Sequence, residues 1–228
     1  ILSKKFAEGA DALVFDVKCG SGAFMKTQDD ARALAESLVR TGEALGRRVV
    51  AVMTRMDQPL GSRVGNLLEV QEAVELLTDP DSGGPHHADL MEVTLVLAAW
   101  MLRCAGIAGS QEEAVERATR VLQDGSALEA FRRNVSAQGG DWGGLERLLQ
   151  GMPVAERAEL RAPQDGYVSD ADCFGVGLAS VYLGVGRNTA EDTVDPYAGI
   201  RFHRKVGDPV KAGDLVAECY SADADRLK

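Results

Sequence analysis

Three groups of residues in this chain have types and spacings that could do chemistry. Lys4 and Lys5 stand side by side on a short helical segment, where a fixed ammonium could face negative charge that develops in a reaction. Spacing alone also allows a plainer reading, in which Lys4 pairs with Glu8 four residues on, along a solvated helix face. The loop Cys19-Gly-Ser-Gly-Ala23 follows an apolar run and precedes a helical one, a place where α/β proteins bind ligands. It is neither G-x-G-x-x-G nor a P-loop, since no Gly-Lys-Ser/Thr follows, so a phosphate cradle competes with an ordinary strand-to-helix turn. Leu60-Gly-Ser-Arg63, with Glu72 on the next helix, could bring two backbone carbonyls to one carboxylate. Such hard oxygens suit a hard cation; a capped turn is the alternative.

Other reactive side chains do not assemble. Cys19, Cys104, Cys173 and Cys219 are too far apart for zinc-ligand spacing, and His86, His87 and His203 complete no cluster. The pair His86-His87 reads as a solvated feature of the loop after Ser82-Gly-Gly-Pro85. Dispersed cysteines fit a reducing, cytoplasmic location.

The elements that must position these residues follow from periodicity. Leu2–Ala7 reads as a helix end stopped by Gly9. Ala12–Lys18 and Arg48–Thr54 read as buried strands, with a helix between them capped by Thr27, carrying Asp29 and Asp30 in its first turn, and ended by Gly46. Strand, helix, strand with short links is a βαβ unit, so the strands should be parallel. Met56–Gly61 is a turn, and Leu67, Val70, Val74 and Leu77 line a helix face. Leu90–Cys104 is apolar nearly all round, which predicts a buried helix. Ser110–Glu113 and Ser126–Glu129 have the form of capping boxes. After about Leu160 the character changes: Ala162–Val168 and Val206–Val216 are short β segments broken by Gly and Pro.

Composition sets the frame. The chain has 228 residues, 25 Lys+Arg against 35 Asp+Glu, a formal charge of −10, and 45% hydrophobic residues. That is a globular composition, and the acidic balance argues against binding a nucleic-acid backbone. No window approaches the ~18 apolar residues of a membrane span, and no signal peptide is visible, so no membrane partner is expected. The chain does not start with Met and ends on a helix-like start at Asp223–Lys228, so it reads as a fragment of a longer protein. The expected fold class is α/β, a parallel or mixed sheet flanked by helices, followed by a smaller C-terminal α+β domain.

Gly207-Asp-x-Val-x-x-Gly-Asp214 resembles the hairpin of biotinyl and lipoyl carrier domains, but neither Lys205 nor Lys211 stands where a carrier lysine would, so a similar, unmodified barrel-sandwich fold is expected. A wider resemblance runs through nearly the whole chain. Ile1–Gly9, Asp11–Lys18, Gly20-Ser-Gly-Ala-Phe-Met25, Met56-Asp-Gln-Pro-Leu-Gly61, Gly65-Asn-x-Leu-Glu-Val70, Leu183-Gly-x-Gly-Arg187, Glu191-Asp-x-x-Asp195 and Gly207-Asp-x-Val210 stand in order. Together they resemble the thymidine and pyrimidine-nucleoside phosphorylase family.

The resemblance implies residues 1-9 as the end of a helical lobe with a hinge near Gly9, residues 10-150 as an α/β domain, and residues 155-228 as a C-terminal α+β domain. It implies reversible cleavage of pyrimidine nucleosides by phosphate, thymidine foremost with uridine as the broader alternative, and a homodimer when intact. Phosphate is a co-substrate and no organic cofactor is expected. It also reverses the reading of Lys4, which matches the family's base-contacting lysine and becomes the catalytic and substrate-binding residue. Leu60, Arg63 and Glu72 match a potassium site of some members, with Arg63 standing where a small residue is usual. The family's base-contacting serine and arginine and its phosphate loop lie upstream of Ile1, so the fragment alone is expected to be inactive. A related phosphoribosyltransferase would need a magnesium-pyrophosphate site and would lack Ser3-Lys4-Lys5 and the β-rich module. A carrier or scaffold protein is disfavoured by the missing carrier lysine.

Overall fold

The computed structural model describes residues 2–82, 87–151 and 156–228. The chain runs α1 (Leu2–Ala7), β1 (Ala12–Cys19), α2 (Gln28–Ala44), β2 (Arg48–Arg55), β3 (Arg63–Val64), α3 (Asn66–Thr78), α4 (Ala88–Cys104), α5 (Gln111–Gln123), α6 (Ser126–Ala137) and α7 (Trp142–Gln150). It continues through β4 (Glu156–Arg161), β5 (Gly166–Tyr167), α8 (Cys173–Leu183), β6 (Gly199–Phe202), β7 (Pro209–Val210) and β8 (Leu215–Ser221) to a 3₁₀ turn at Ala224–Leu227. Two compact units result, Ile1–Asp57 with Asp89–Val121, and Gln58–Ala88 with Leu122–Lys228. β3 lies in the second unit because it pairs with β6.

In the first unit β1 and β2 are parallel, with Ala12 opposite Arg48 through to Cys19 opposite Arg55. Thr27 starts α2: its hydroxyl accepts from the Asp30 N–H at 3.2 Å. Ala31 and Ala35 press α2 onto Val17, ringed by Phe15, Cys19, Ala51 and Met53. These strand residues alternate, so one sheet face is buried. The intervening positions carry Asp16, Lys18 and Thr54, joined by a 2.6 Å ion pair from Lys18 to Asp16 and a 3.0 Å hydrogen bond from Lys18 to Thr54. The Thr54 hydroxyl in turn donates to Asp16.

The expectation of two fully buried strands is therefore corrected. Only Val17 and Val49 are fully buried in them, because one helix covers one face. Among the described residues this sheet has two strands. The expectation for Leu90–Cys104 is corrected likewise. Only Ala99 of α4 is fully buried, where it meets Ala108 and Ala114, and Met101 on another face is exposed. Ser110 caps α5 by accepting from the Glu113 N–H at 3.1 Å, while Glu113 accepts from Gly109. Ser126 is not a cap: Gly125 precedes α6 in a left-handed conformation, and the Ser126 N–H donates to Asp124.

The second unit is built on an antiparallel sheet ordered β3-β6-β8-β4, with β5 and β7 paired separately. Leu183, Ala198, Ile200 and Ala217 form its core, against Val64, Val176 and Phe202. β3 meets β6 where Gly65 faces Gly199. A Cβ on Gly199 would lie 2.2 Å from the Val64 carbonyl oxygen, and one on Gly65 would lie 2.4 Å from that of Ala198. Both residues have positive φ, +158° and +140°. Helix α8 is an element the sequence reading did not include. Asp172 caps it by accepting from the Gly175 N–H at 2.9 Å. It carries no charged residue, yet Phe174, Leu178 and Tyr182 lie exposed at four-residue intervals. Among the described residues no helix is long and apolar enough to cross a membrane.

A Gly199→Ala substitution should lower the urea-unfolding midpoint by the equivalent of about 3 kcal/mol, since the new methyl must push two main chains apart. Gly109→Ala, whose nearest neighbour would be the flexible end of Glu113 at 3.6 Å, should stay within about 0.5 kcal/mol of the parent in the same titration.

Candidate active site

Lys4 is exposed on α1 and makes no ion pair among the described residues, while Lys5 takes Glu8 at 3.0 Å. The Lys4–Glu8 pair that spacing allowed does not form; its neighbour uses that carboxylate. α1 has no buried residue, so its placement of Lys4 is local.

The loop after β1 is closed by main-chain bonds: Gly20 N–H to Met25 carbonyl at 3.0 Å, and Ala23 N–H to Gly20 carbonyl at 3.0 Å. It is tied to the end of β2 by Met56 N–H to Cys19 carbonyl at 2.7 Å and Gly22 N–H to Met56 carbonyl at 2.9 Å. Asp57 accepts from the Ser21 N–H at 2.9 Å. Ala23 is buried and Phe24 beside it is 100% exposed. The sequence reading passed over Phe24; the signal was an aromatic residue inside a glycine-rich loop. Beside the loop, at the carboxyl ends of the parallel strands, lies a cleft of about 480 Å³ lined by Cys19, Gly20, Lys26, Thr54, Arg55 and Asp57. Ligands of open α/β sheets bind at such strand ends.

In the second unit the Leu60–Arg63 turn and Glu72 come together as their spacing suggested. Glu72 is 3% exposed. Its Oε1 accepts from the Ser62 N–H and the Ser62 hydroxyl, both at 2.7 Å, and lies 2.9 Å from His87 Nε2. Its Oε2 faces Gly61 so closely that a Cβ there would sit 2.6 Å away. Lys205 reaches the same turn, donating to the carbonyls of Pro59 at 3.1 Å and Gly61 at 2.8 Å. The Arg63 side chain is buried and pairs with Glu75 at 2.5 Å, and among the described residues its Nε and Nη1 have no partner. The solvated reading of the histidine pair is corrected for His87, which is 7% exposed and bonded to Ser62 and Glu72; His86 lies outside the described residues. A buried carboxylate needs donors, and His87 is one of them.

A main-chain carbonyl and a carboxylate are hard oxygens, and Gly61, lacking a Cβ, lets Glu72 Oε2 approach the turn closely. Lys4 and this turn fall in different units, and each is described by itself.

The C-terminal sheet carries a further polar cluster. Glu218 accepts from Tyr220 at 2.9 Å, lies 2.8 Å from His203 Nε2, and pairs with Arg157 at 3.2 Å. Burial pushes the Glu218 carboxyl up, but the bonds from His203 and Tyr220 and the charges of His203 and Arg157 outweigh it, so its pKa is lowered. Burial, and then the bond to Glu218, push the Tyr220 hydroxyl up to about 12. The Gly207–Asp214 hairpin forms as expected: Asp208 and Asp214 accept from the N–H groups of Lys205 and Lys211, and the Val168 N–H donates to the Asp208 carbonyl.

A parallel β-α-β unit with a glycine-rich loop at its strand ends, followed in sequence by an antiparallel sheet, is an α/β organisation with a C-terminal α+β part. A family model described as "Glycosyl transferase family, a/b domain" matches residues 1–128, and one described as "Pyrimidine nucleoside phosphorylase C-terminal domain" matches residues 167–228. The chain belongs to this glycosyl transferase family. It is 44% identical to the pyrimidine-nucleoside phosphorylase of Geobacillus stearothermophilus over 97% of its own length and 50% of that protein's. It is 41% identical to the protein of the same name from Staphylococcus aureus strain USA300 over 99% of its length and 51% of the relative's. The chain thus spans about half the length of these curated relatives.

Two outcomes follow from the buried polar groups. Glu72→Ala should cost about 3 kcal/mol in chemical unfolding, because it strands the buried donors of Ser62 and His87, whereas Glu72→Gln, which keeps an acceptor, should cost less than half of that. In ultraviolet titration one tyrosine should ionise near pH 12, and Tyr220→Phe should abolish that step. Because this pKa is raised on folding, Tyr220 contributes stability in full below about pH 10, and that contribution is lost as pH rises through 12. The Glu218 pKa is lowered, so its contribution is present above the ordinary carboxyl value of 4.5 and is lost as pH falls through the folded value.

Proposed function

We propose that the protein cleaves the glycosidic bond of pyrimidine nucleosides with phosphate, reversibly, releasing the free base and a pentose 1-phosphate. Thymidine, giving thymine and 2-deoxyribose 1-phosphate, is the proposed substrate. The observation that carries this reading is the exposed ammonium of Lys4 on α1, which makes no ion pair among the described residues while its neighbour Lys5 pairs with Glu8. As phosphate attacks C1′, the bond to the base breaks and its electrons pass to the ring carbonyl oxygens. A cation aimed there stabilises the transition state more than the ground state. Phe24 offers a flat apolar surface for the pyrimidine ring, and stacking of that kind contributes about 1–3 kcal/mol.

Leu60 and Arg63, through their carbonyl oxygens, and Glu72 would hold a potassium ion, which would add fixed positive charge to the turn. A homodimer in the cytoplasm is the proposed state. The names of the curated relatives favour a second reading, in which uridine is cleaved as well. The choice turns on whether the pocket accepts the 2′-hydroxyl.

The test uses protein from the complete reading frame, mixed with phosphate and separately with thymidine, deoxyuridine and uridine, following base release by ultraviolet absorbance. Lys4→Ala should reduce kcat/KM at least about a hundredfold, the scale of losing one charge-stabilising donor. Cleavage of none of the three nucleosides in the presence of phosphate would overturn the proposal.

A further inference from the structure

We propose that Asp57 is a positioning residue for the pyrimidine ring, acting by clamping the loop that presents Phe24; this rests on the reading of Phe24 given above. Three hydrogen bonds tie the loop to the end of β2. Two of them, Met56 N–H to Cys19 carbonyl and Gly22 N–H to Met56 carbonyl, are main-chain bonds that any residue could make. The third is the 2.9 Å bond from the Ser21 N–H to Asp57 Oδ1, and it depends on a side chain. The peptide unit that follows is held from the other side, because Lys26 donates to the Ser21 carbonyl at 2.7 Å. A carboxylate on one flank and an ammonium on the other therefore fix Ser21 in place, through charge-assisted bonds that are the stronger kind.

Packing reinforces the clamp. Gly20 has φ +135°, and a Cβ there would lie 2.4 Å from Asp57 Oδ1. The carboxylate thus rests against a bare Cα, which only glycine provides. Its other oxygen lies 3.5 Å from the Arg55 guanidinium, which holds the side chain on this rotamer. Beyond Ser21, Ala23 is buried as an anchor and Phe24 stands wholly in solvent. An exposed phenyl ring gains nothing for the fold, since about 1.5–3 kcal/mol of burial is forgone. A clamped base with a solvent-facing ring is what a pre-organised contact surface requires.

The test is chymotryptic cleavage after Phe24 in the folded protein from the complete reading frame, with cleavage after exposed Tyr167 as the internal reference. Proteolysis of a folded protein follows local opening. Asp57→Ala should speed cleavage after Phe24 about tenfold or more relative to Tyr167, the loss expected for one charge-assisted bond. Asp57→Asn, which keeps the Oδ1 acceptor, should restore the parent rate within about twofold. Equal acceleration at both sites, or none at Phe24, overturns the proposal. In the active enzyme Asp57→Ala should raise KM for the nucleoside more than it lowers kcat; an effect confined to kcat also overturns it. Thymine and uracil are added to the parent chain in parallel. If neither slows cleavage after Phe24, the ring-stacking reading of Phe24 fails, and the variants alone then decide whether Asp57 holds the loop.

Discussion

At residues 65 and 199 two main chains touch with no side chain between them, and the second unit is organised around that contact. Gly65 links β3 to α3, and Gly199 opens β6. Once they meet, the Leu67 N–H reaches the Pro196 carbonyl at 3.1 Å, the Asn66 amide reaches Val185 at 3.1 Å, and the Phe202 N–H reaches Ser62 at 2.7 Å. The first turn of α3 and the Leu60–Arg63 turn are thereby registered against residues that come more than a hundred positions later in the sequence. Lys205 completes the link from the C-terminal hairpin to the carbonyls of Pro59 and Gly61. Such distant pairings carry a large loop-closure cost and form late. The oxygens of Leu60 and Glu72 are therefore arranged by the whole unit and not by their own loop.

How much of this was legible depended on whether the signal was local. The βαβ unit could be read because Ala12–Cys19 and Arg48–Arg55 are apolar runs flanking a helix with a good cap at Thr27. β4 could not, because Glu-Arg-Ala-Glu-Leu-Arg offers only Ala158 and Leu160 among four charged residues, too short an alternation to stand out. β3 is two residues long and exists only through β6. α8 was hidden by the opposite fault: apolar on every side, it has no period to reveal it. At the candidate site, Lys4 and the Leu60, Arg63, Glu72 set were visible as residue types at a spacing. The roles of His87, Lys205 and Asp57 were not, because each acts on residues far away in sequence or across a loop.

The two polar clusters of the second unit solve the same problem differently. Around Glu218 the donors are matched to the carboxylate: tyrosine, histidine and arginine each contribute one. Around Glu72 the match is incomplete: among the described residues Arg63 Nε and Nη1 and His87 Nδ1 have no hydrogen-bond partner. A buried unmade bond costs about 1–3 kcal/mol, so this turn is the strained side of the unit, and it is also the side that carries the candidate cation oxygens.

The face of the β1–β2 sheet turned away from α2 bears Asp16, Lys18 and Thr54, whose side chains, among the described residues, bond to one another. Within these three side chains the positive charge, the negative charge and the hydroxyl proton are all matched. What the face shows its surroundings is a closed dipole and not a bare ion. A dipole can pass from water beneath another layer of protein for far less free energy than either ion alone would demand. The same surface is therefore compatible with a wet exterior and a dry seam, with no change of protonation needed to move between them.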